Sequence, residues 1–92
     1  MSTVRIPTPL RPYAEGQKEI DVQGDTVGGA LDDLTRQHPG LRQHLYDEEG
    51  QLRAYVNVFL NEDDIRGLDG SETSMGPEDR ITIVPSIAGG LS

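Results

Sequence analysis

The chain contains no cysteine, which excludes a disulfide framework, a thiolate zinc site and a cysteine nucleophile together. The fold must therefore rest on its core alone, which suits a reducing cytoplasm. Positive charge is scarce as well: 8 Lys and Arg stand against 16 Asp and Glu, a formal net charge of −8. Nucleic acid, whose phosphates demand a basic face, is not an expected ligand. An acidic surface favours a basic protein partner instead, or simply keeps a small protein soluble. No stretch approaches the roughly 20 apolar residues that a membrane helix needs. Residues 1–10, MSTVRIPTPL, lack the basic start and apolar run of a signal peptide. A cytoplasmic protein without membrane attachment is the expectation.

What is present describes one small globular domain. At 92 residues, with 34% hydrophobic and 26% charged, the chain has enough apolar material for a single core and too little for two. A domain of this size buries a smaller share of its surface than a large enzyme. It is poorly placed to carry a deep water-excluding pocket, so it is not expected to be an enzyme.

Hydrophobic periodicity marks the elements. In Thr3 to Pro7, Val4 and Ile6 face one way and Thr3 and Arg5 the other, as in a half-buried strand. Pro7, Pro9 and Pro12 stop the ladder and predict an extended, stiff loop. Lys18 to Val22 alternates again, with Ile20 and Val22 together, and Glu15-Gly16 lies between the two runs, so they read as a long-looped hairpin. The period then changes. Asp25 or Thr26 is placed to cap a helix in which Val27, Ala30, Leu31, Leu34 and His38 form one face. Pro39-Gly40 ends it, and a short helical turn through Leu41 and Leu45 follows. Tyr55 to Leu60 reads as a strand with Val56, Val58 and Leu60 on one side. Asn61 to Asp64 reads as a polar turn, Ile65 as part of a short piece, and Gly67 to Asp79 as loop. Arg80 to Val84 is a last strand with Ile81 and Ile83 inward.

One helix lying across one face of a mixed sheet solves the burial problem posed by this order. The predicted architecture is α+β, a β-grasp or ubiquitin-like fold of about four to five strands, with the first and last strands side by side in the middle. Residues 1–85 form the domain and residues 86–92 a flexible tail without periodicity. Phe59 alternates away from Val58 and Leu60, and Val84 away from Ile81 and Ile83. Both are therefore expected on the open face of the sheet, as an apolar patch for a partner at the base of the tail.

Other chemical-looking features have plainer readings. His38 and His44 are six residues apart with no cysteine nearby, so no metal site is expected. Gly28-Gly29 lacks a phosphate-loop context and reads as a close approach of helix to sheet. Asp47-Glu48-Glu49 and Glu62-Asp63-Asp64 lack calcium-loop spacing and read as solvated turns. Lys18, the one lysine, either pairs with acidic neighbours or accepts a modifier.

The chain resembles the MoaD/ThiS family of ubiquitin-like sulfur carriers, in particular its CysO-like branch. The matching pieces are IPTPLRPY at Ile6 to Tyr13, GQK at Gly16 to Lys18 and GDTVGGALDDL at Gly24 to Leu34, followed by YVNVFLNEDDIR at Tyr55 to Arg66 and ITIVPSIAGG at Ile81 to Gly90. The resemblance implies that a ubiquitin-activating-enzyme-like adenylyltransferase activates the Gly90 carboxylate with ATP. Sulfur transfer then makes a thiocarboxylate, and an acceptor enzyme, cysteine-synthase-like for this branch, consumes it. No cofactor is implied on the carrier itself.

The tail suits that cycle physically. Ile87, Ala88, Gly89 and Gly90 span roughly 13 Å when extended, and the glycines can pass a narrow channel. One departure stands out: active carriers of the family end at the second glycine, whereas Leu91 and Ser92 follow here. Gly90 then has an amide where activation needs a carboxylate. The expectation is that a peptidase, a metal-dependent one, cuts between Gly90 and Leu91; an artificial extension or an inactive carrier are the other readings. Two further functions share the same tail: a modifier forming isopeptide bonds through Gly90, and a small subunit completing an enzyme of the molybdopterin-synthase kind.

Overall fold

In the computed structural model, residues 2–85 are described. Strands β1 (Ser2–Arg5) and β2 (Glu19–Val22) pair antiparallel, with Ser2 opposite Val22 and Arg5 opposite Glu19. Helix α1 spans Val27–Gln37 and the short α2 spans Arg42–Leu45. Strands β3 (Val56–Leu60), β4 (Asp63–Asp64) and β5 (Arg80–Pro85) complete a five-stranded sheet in the order β2-β1-β5-β3-β4. β1 and β5 are parallel neighbours and the other pairs are antiparallel. This is the β-grasp arrangement expected from the order of periods.

The alternations translate directly into burial. Val4, Ile6, Ile20, Val22, Val56, Val58, Leu60, Ile81 and Ile83 are buried, and they meet Val27, Ala30, Leu31 and Leu34 from α1. Thr26 is the N-cap: its Oγ1 accepts from the Gly29 N–H at 3.1 Å, satisfying a donor that the first helical turn otherwise leaves open. Leu41 and Leu45 are buried from the short helical turn, as expected.

Several local expectations are corrected. His38 does not join the buried face; it is the C-cap, at φ −132° and ψ 81°, and Thr35 is buried instead. The residue before a proline is pushed out of the α region, so Pro39 ends the helix one residue early. Thr35 satisfies its hydroxyl by donating to the Asp32 carbonyl at 3.1 Å.

The proline-rich segment is not extended. Thr8–Ala14 forms a 3-10 helix that buries Leu10 and Ala14. Pro7 precedes the helix and Pro9 falls in its first turn, where the N–H has no partner to begin with, while Pro12 lies inside it. The turn closes through Glu15 in the left-handed region, φ 56°, and the Arg11 guanidinium donates to the Ile6 carbonyl at 3.1 Å.

The region between Gly67 and Asp79, expected as loop, contains a 3-10 turn at Gly70–Glu72 and carries core. Thr73 and Met75 are buried, the Val27 N–H donates to the Thr73 carbonyl and the Met75 N–H to the Asp25 carbonyl, both at 3.0 Å. Of the α1 glycines, Gly28 serves this loop and not the sheet, since a Cβ there would lie 3.0 Å from the Ser71 carbonyl oxygen, while a Cβ on Gly29 would lie 3.3 Å from Thr26 Oγ1. Asp63 and Asp64 form a strand, so the polar turn shrinks to Asn61 and Glu62, with Asn61 left-handed at φ 58°. Asp47 is not merely solvated; its Oδ1 accepts the Glu49 and Gln51 N–H groups at 2.9 and 3.0 Å and shapes the 46–53 loop.

Candidate functional site

β5 is hydrogen-bonded on both sides, to β1 by the Thr3–Arg80, Val4–Ile81 and Arg5–Thr82 pairs and to β3 from Val56–Pro85 to Leu60–Ile81. The root of the tail is therefore a strand in the middle of the sheet. The predicted tail residues Ile87, Ala88, Gly89 and Gly90, and the Gly90–Leu91 processing site, lie outside the described residues, as does the expected 86–92 segment.

The patch residues are described. Val84 is 43% exposed at the carboxyl end of β5. Phe59 lies on the same open face and is half-buried. Thr82 faces Phe59 and Val84 faces Asn57 across the strands, which makes Phe59 and Val84 diagonal neighbours about 7–8 Å apart, within reach of large side chains.

Polar groups border this patch on the β4 side. The Arg66 guanidinium donates to Asp64 Oδ2 at 3.1 Å, to Asp64 Oδ1 at 3.3 Å and to the Asn57 side-chain oxygen, while its backbone N–H donates to Asp64 Oδ1 at 2.9 Å. Side-chain and then backbone hydrogen bonds from Arg66 hold the Asp64 carboxyl below the usual aspartate range. Asn57 and Asp64 flank Phe59 along and across the strands. Arg66 thus fixes the border of the apolar patch.

Three open-face side chains belong to the neighbourhood of the patch although the sequence reading gave them no part: Arg5, Arg80 and Thr82. Their outward parity was the available signal. Thr82 stands between Arg5 on β1 and Phe59 on β3 in one cross-strand row.

Elsewhere the candidates disperse. The rings of Tyr13 and His44 stack at 4.1 Å between centroids, and His38 caps α1 with its backbone. Among the described residues no cluster of His, Asp and Glu is placed to hold a metal ion, and Lys18 is in no ion pair. An open groove between α2 and the 46–53 loop is lined by Arg42, Tyr46, Glu49 and Arg53. Burial first, and Asp32 second, push the Tyr46 hydroxyl above its ordinary pKa, against the pull of Arg42. Among the described residues no helix is long and apolar enough to cross a membrane.

Comparison with known proteins places this geometry. A family model described as the ThiS family matches residues 4–90, ending on the second glycine. The sulfur carrier protein CysO of Mycobacterium tuberculosis is 40% identical over 90 residues, 96% of this chain and 97% of its own length. Small archaeal modifier protein 3 of Haloferax volcanii is 36% identical over 78 residues, 82% of this chain and 84% of its own. In the solved Amycolatopsis orientalis BexX/CysO complex, the matching chain superposes with a TM-score of 0.89 at 38% identity, covering 98% of this chain and 100% of that one. The match spans the whole sheet and helix and continues through the diglycine, so the chain belongs to the ThiS family of ubiquitin-like sulfur carriers.

Proposed function

We propose that this protein is a sulfur carrier and a co-substrate of other enzymes, with Gly90 as its reacting residue. The observation that supports this most is β5: a strand held on both sides ends at Pro85, and the family match runs on from there to Gly90. Residues 86–90 span at most about 17 Å, a length suited to carrying a carboxyl group away from a rigid base and into another protein's active site.

The chemistry follows from the weakness of a carboxylate as an electrophile. Attack of the Gly90 carboxylate on the α-phosphate of ATP, within an adenylyltransferase of the ubiquitin-activating kind, releases pyrophosphate and leaves an acyl-adenylate. A sulfide-equivalent nucleophile then displaces AMP, forming a C–S bond in place of the C–O bond to phosphate. The thiocarboxylate delivers its sulfur to an acceptor enzyme, here assigned to cysteine formation on the strength of the CysO relatives. Removal of Leu91-Ser92 by a metallopeptidase must come first, because an amide at Gly90 cannot attack ATP. Ordering the tail costs about 1–2 kcal/mol per backbone residue, so docking through Phe59 and Val84 must compensate.

The test compares a chain ending at Gly90 with the full chain, each with the adenylyltransferase of its host. ATP–pyrophosphate exchange is expected only with the shortened chain, and intact mass should then show oxygen replaced by sulfur. Exchange by neither chain would sink the reading.

A second reading is favoured by the small archaeal modifier relatives: conjugation of Gly90 to lysine amines of target proteins. Adducts carrying a diglycine remnant on lysine, recovered from the host, decide for it. Absence of adducts where thiocarboxylate accumulates decides against it.

A further inference from the structure

Among the described residues the sheet ends in two edge strands, β2 and β4. β4 is two residues long, both aspartate, and offers little to pair with. β2 is the longer edge, and its backbone groups can be assigned a side. The Ile6 N–H donates to the Lys18 carbonyl at 2.7 Å, and Ile6–Lys18 continues the register in which Arg5 is opposite Glu19. Hydrogen-bonded pairs alternate along an antiparallel ladder, so Ile20 and Val22 turn their N–H and C=O groups toward β1. Glu19, Asp21 and Gln23 turn theirs outward, where no strand follows.

Two side chains of α1 stand at that edge. The Gln37 amide nitrogen donates to the Asp21 carbonyl at 2.9 Å, and the Gln23 N–H donates to Asp33 Oδ2 at 3.1 Å. The Gln37 amide nitrogen also donates to Asp33 Oδ2 at 2.9 Å, one helical turn away, which ties the two together. The arrangement copies a strand. A residue in a parallel neighbour gives its N–H to one carbonyl and accepts the N–H two residues further on. Asp21 and Gln23 have that spacing. Gln37 stands in for the N–H of such a residue, and Asp33 for its C=O.

We infer that Asp33 and Gln37 close the β2 edge to strand addition, above all to β2 of a second copy, and so keep this chain monomeric. The inference rests on the geometry of the edge and is independent of the sulfur-carrier reading. Two β2 strands paired across a twofold axis need the outward N–H and C=O groups of Glu19 and Asp21, and the Asp21 carbonyl is already taken. Charge adds a second obstacle. Asp21 is exposed and in no ion pair among the described residues. In a pairing centred on it, Asp21 faces its own copy, and like charges directly opposite are destabilising. With the edge closed, the open face of the sheet is left as the surface on which partners are met.

The test follows self-association of the full chain by sedimentation equilibrium, in about 0.5 M sodium chloride to screen the carboxylates, with amide hydrogen exchange to locate the contact. The wild type is expected to remain monomeric. Asp33→Ala/Gln37→Ala should dimerise at least tenfold more tightly, with the Glu19 and Asp21 amides protected in step with protein concentration. Asp33→Asn should behave as the wild type, since its amide oxygen still accepts the Gln23 N–H. Asp32→Ala should do so too, because Asp32 stands with Arg36 and Arg42 on another side of α1. A folded double variant as monomeric as the wild type overturns the inference. Equal association of Asp32→Ala, or protection that falls outside residues 19–23, also overturns it. For a double variant that does not fold, Gln37→Met decides instead, keeping the side-chain length and losing the donor. It should associate at least threefold more tightly than the wild type, and no change there overturns the inference.

Discussion

Asn61 and Asp79 clasp the point where the last strand enters the sheet. The Asn61 amide nitrogen donates to Asp79 Oδ1 at 3.2 Å, and the Asn61 side-chain oxygen accepts the Arg80 N–H at 3.1 Å. Asp79 Oδ2 accepts the Gly76 N–H at 2.8 Å. The pair joins the end of β3 to the start of β5. Asn61 does so from a left-handed backbone, φ 58°, which asparagine tolerates better than most residues.

The Asp79 carboxyl is held below its ordinary pKa, chiefly by the Gly76 N–H and then by Asn61. Its folded-state pKa is lowered, so its stabilising effect is present above about pH 4, near the unfolded aspartate value, and fades as pH falls through the folded one. Asp64, lowered by Arg66, acts in the same direction. Asp79→Asn is expected to flatten the loss of stability below about pH 4, measured by urea unfolding across pH. An unchanged acid limb would refute the assignment.

Gly24 stands against the first turn of α1, where a Cβ would lie 2.5 Å from the Ala30 nitrogen and 2.8 Å from the Gly29 carbonyl carbon. Backbone cannot yield as a side chain tip does. Gly24→Ala should cost roughly 2 kcal/mol or more. Gly67→Ala, with nothing within 4 Å of the added carbon, should stay within about 0.5 kcal/mol. Chemical denaturation of both variants checks the contrast.

Removal of the Thr26 cap by Thr26→Ala should destabilise the domain by about 1 kcal/mol. That corresponds to a fall in Tm of about 4–8 °C for a domain of this size, read by calorimetry. Thr26→Asp should retain most of the stability.

Val84 is 43% exposed, so Val84→Lys should cost about 1 kcal/mol of stability or less. Its effect on docking should be larger: about tenfold weaker binding to the activating enzyme, as for an apolar anchor at an interface centre. Phe59→Ala should weaken docking at least as much. Unchanged affinity in both variants would remove the patch from the docking surface.

Much of the architecture was legible because the chain switches cleanly between periods. Val4/Ile6, Ile20/Val22, Val56/Val58/Leu60 and Ile81/Ile83 each mark a strand face, and Val27/Ala30/Leu31/Leu34 marks the helix. The failures occur where local chemistry competes with pattern. Prolines at 7, 9 and 12 suggest extension, but a first turn forgives Pro7 and Pro9 and the 3-10 helix takes in Pro12; the Leu10–Ala14 spacing was the overlooked sign of a turn. His38 fits the helical wheel, yet Pro39 removes it from the helix. Gly28 meets Ser71 across some forty residues of sequence, a contact that no local pattern announces. At the candidate site, parity alone placed Phe59 and Val84 on the open face. The pairing of Glu19 with Arg80, and not with its cross-strand neighbour Arg5, depends on side-chain reach and lies beyond alternation.

The parallel pairing of β1 with β5 gives the molecule a mechanical character. Pulled apart from its two ends, the chain loads these adjacent strands lengthwise, and the Thr3–Arg80, Val4–Ile81 and Arg5–Thr82 steps must slip together instead of unzipping singly. Tension on the carboxyl end is shared further with β3 through its five pairings. A pull entering at Pro85 is thereby met along both edges of β5 at once, which resists drawing the domain out into an unfolded thread.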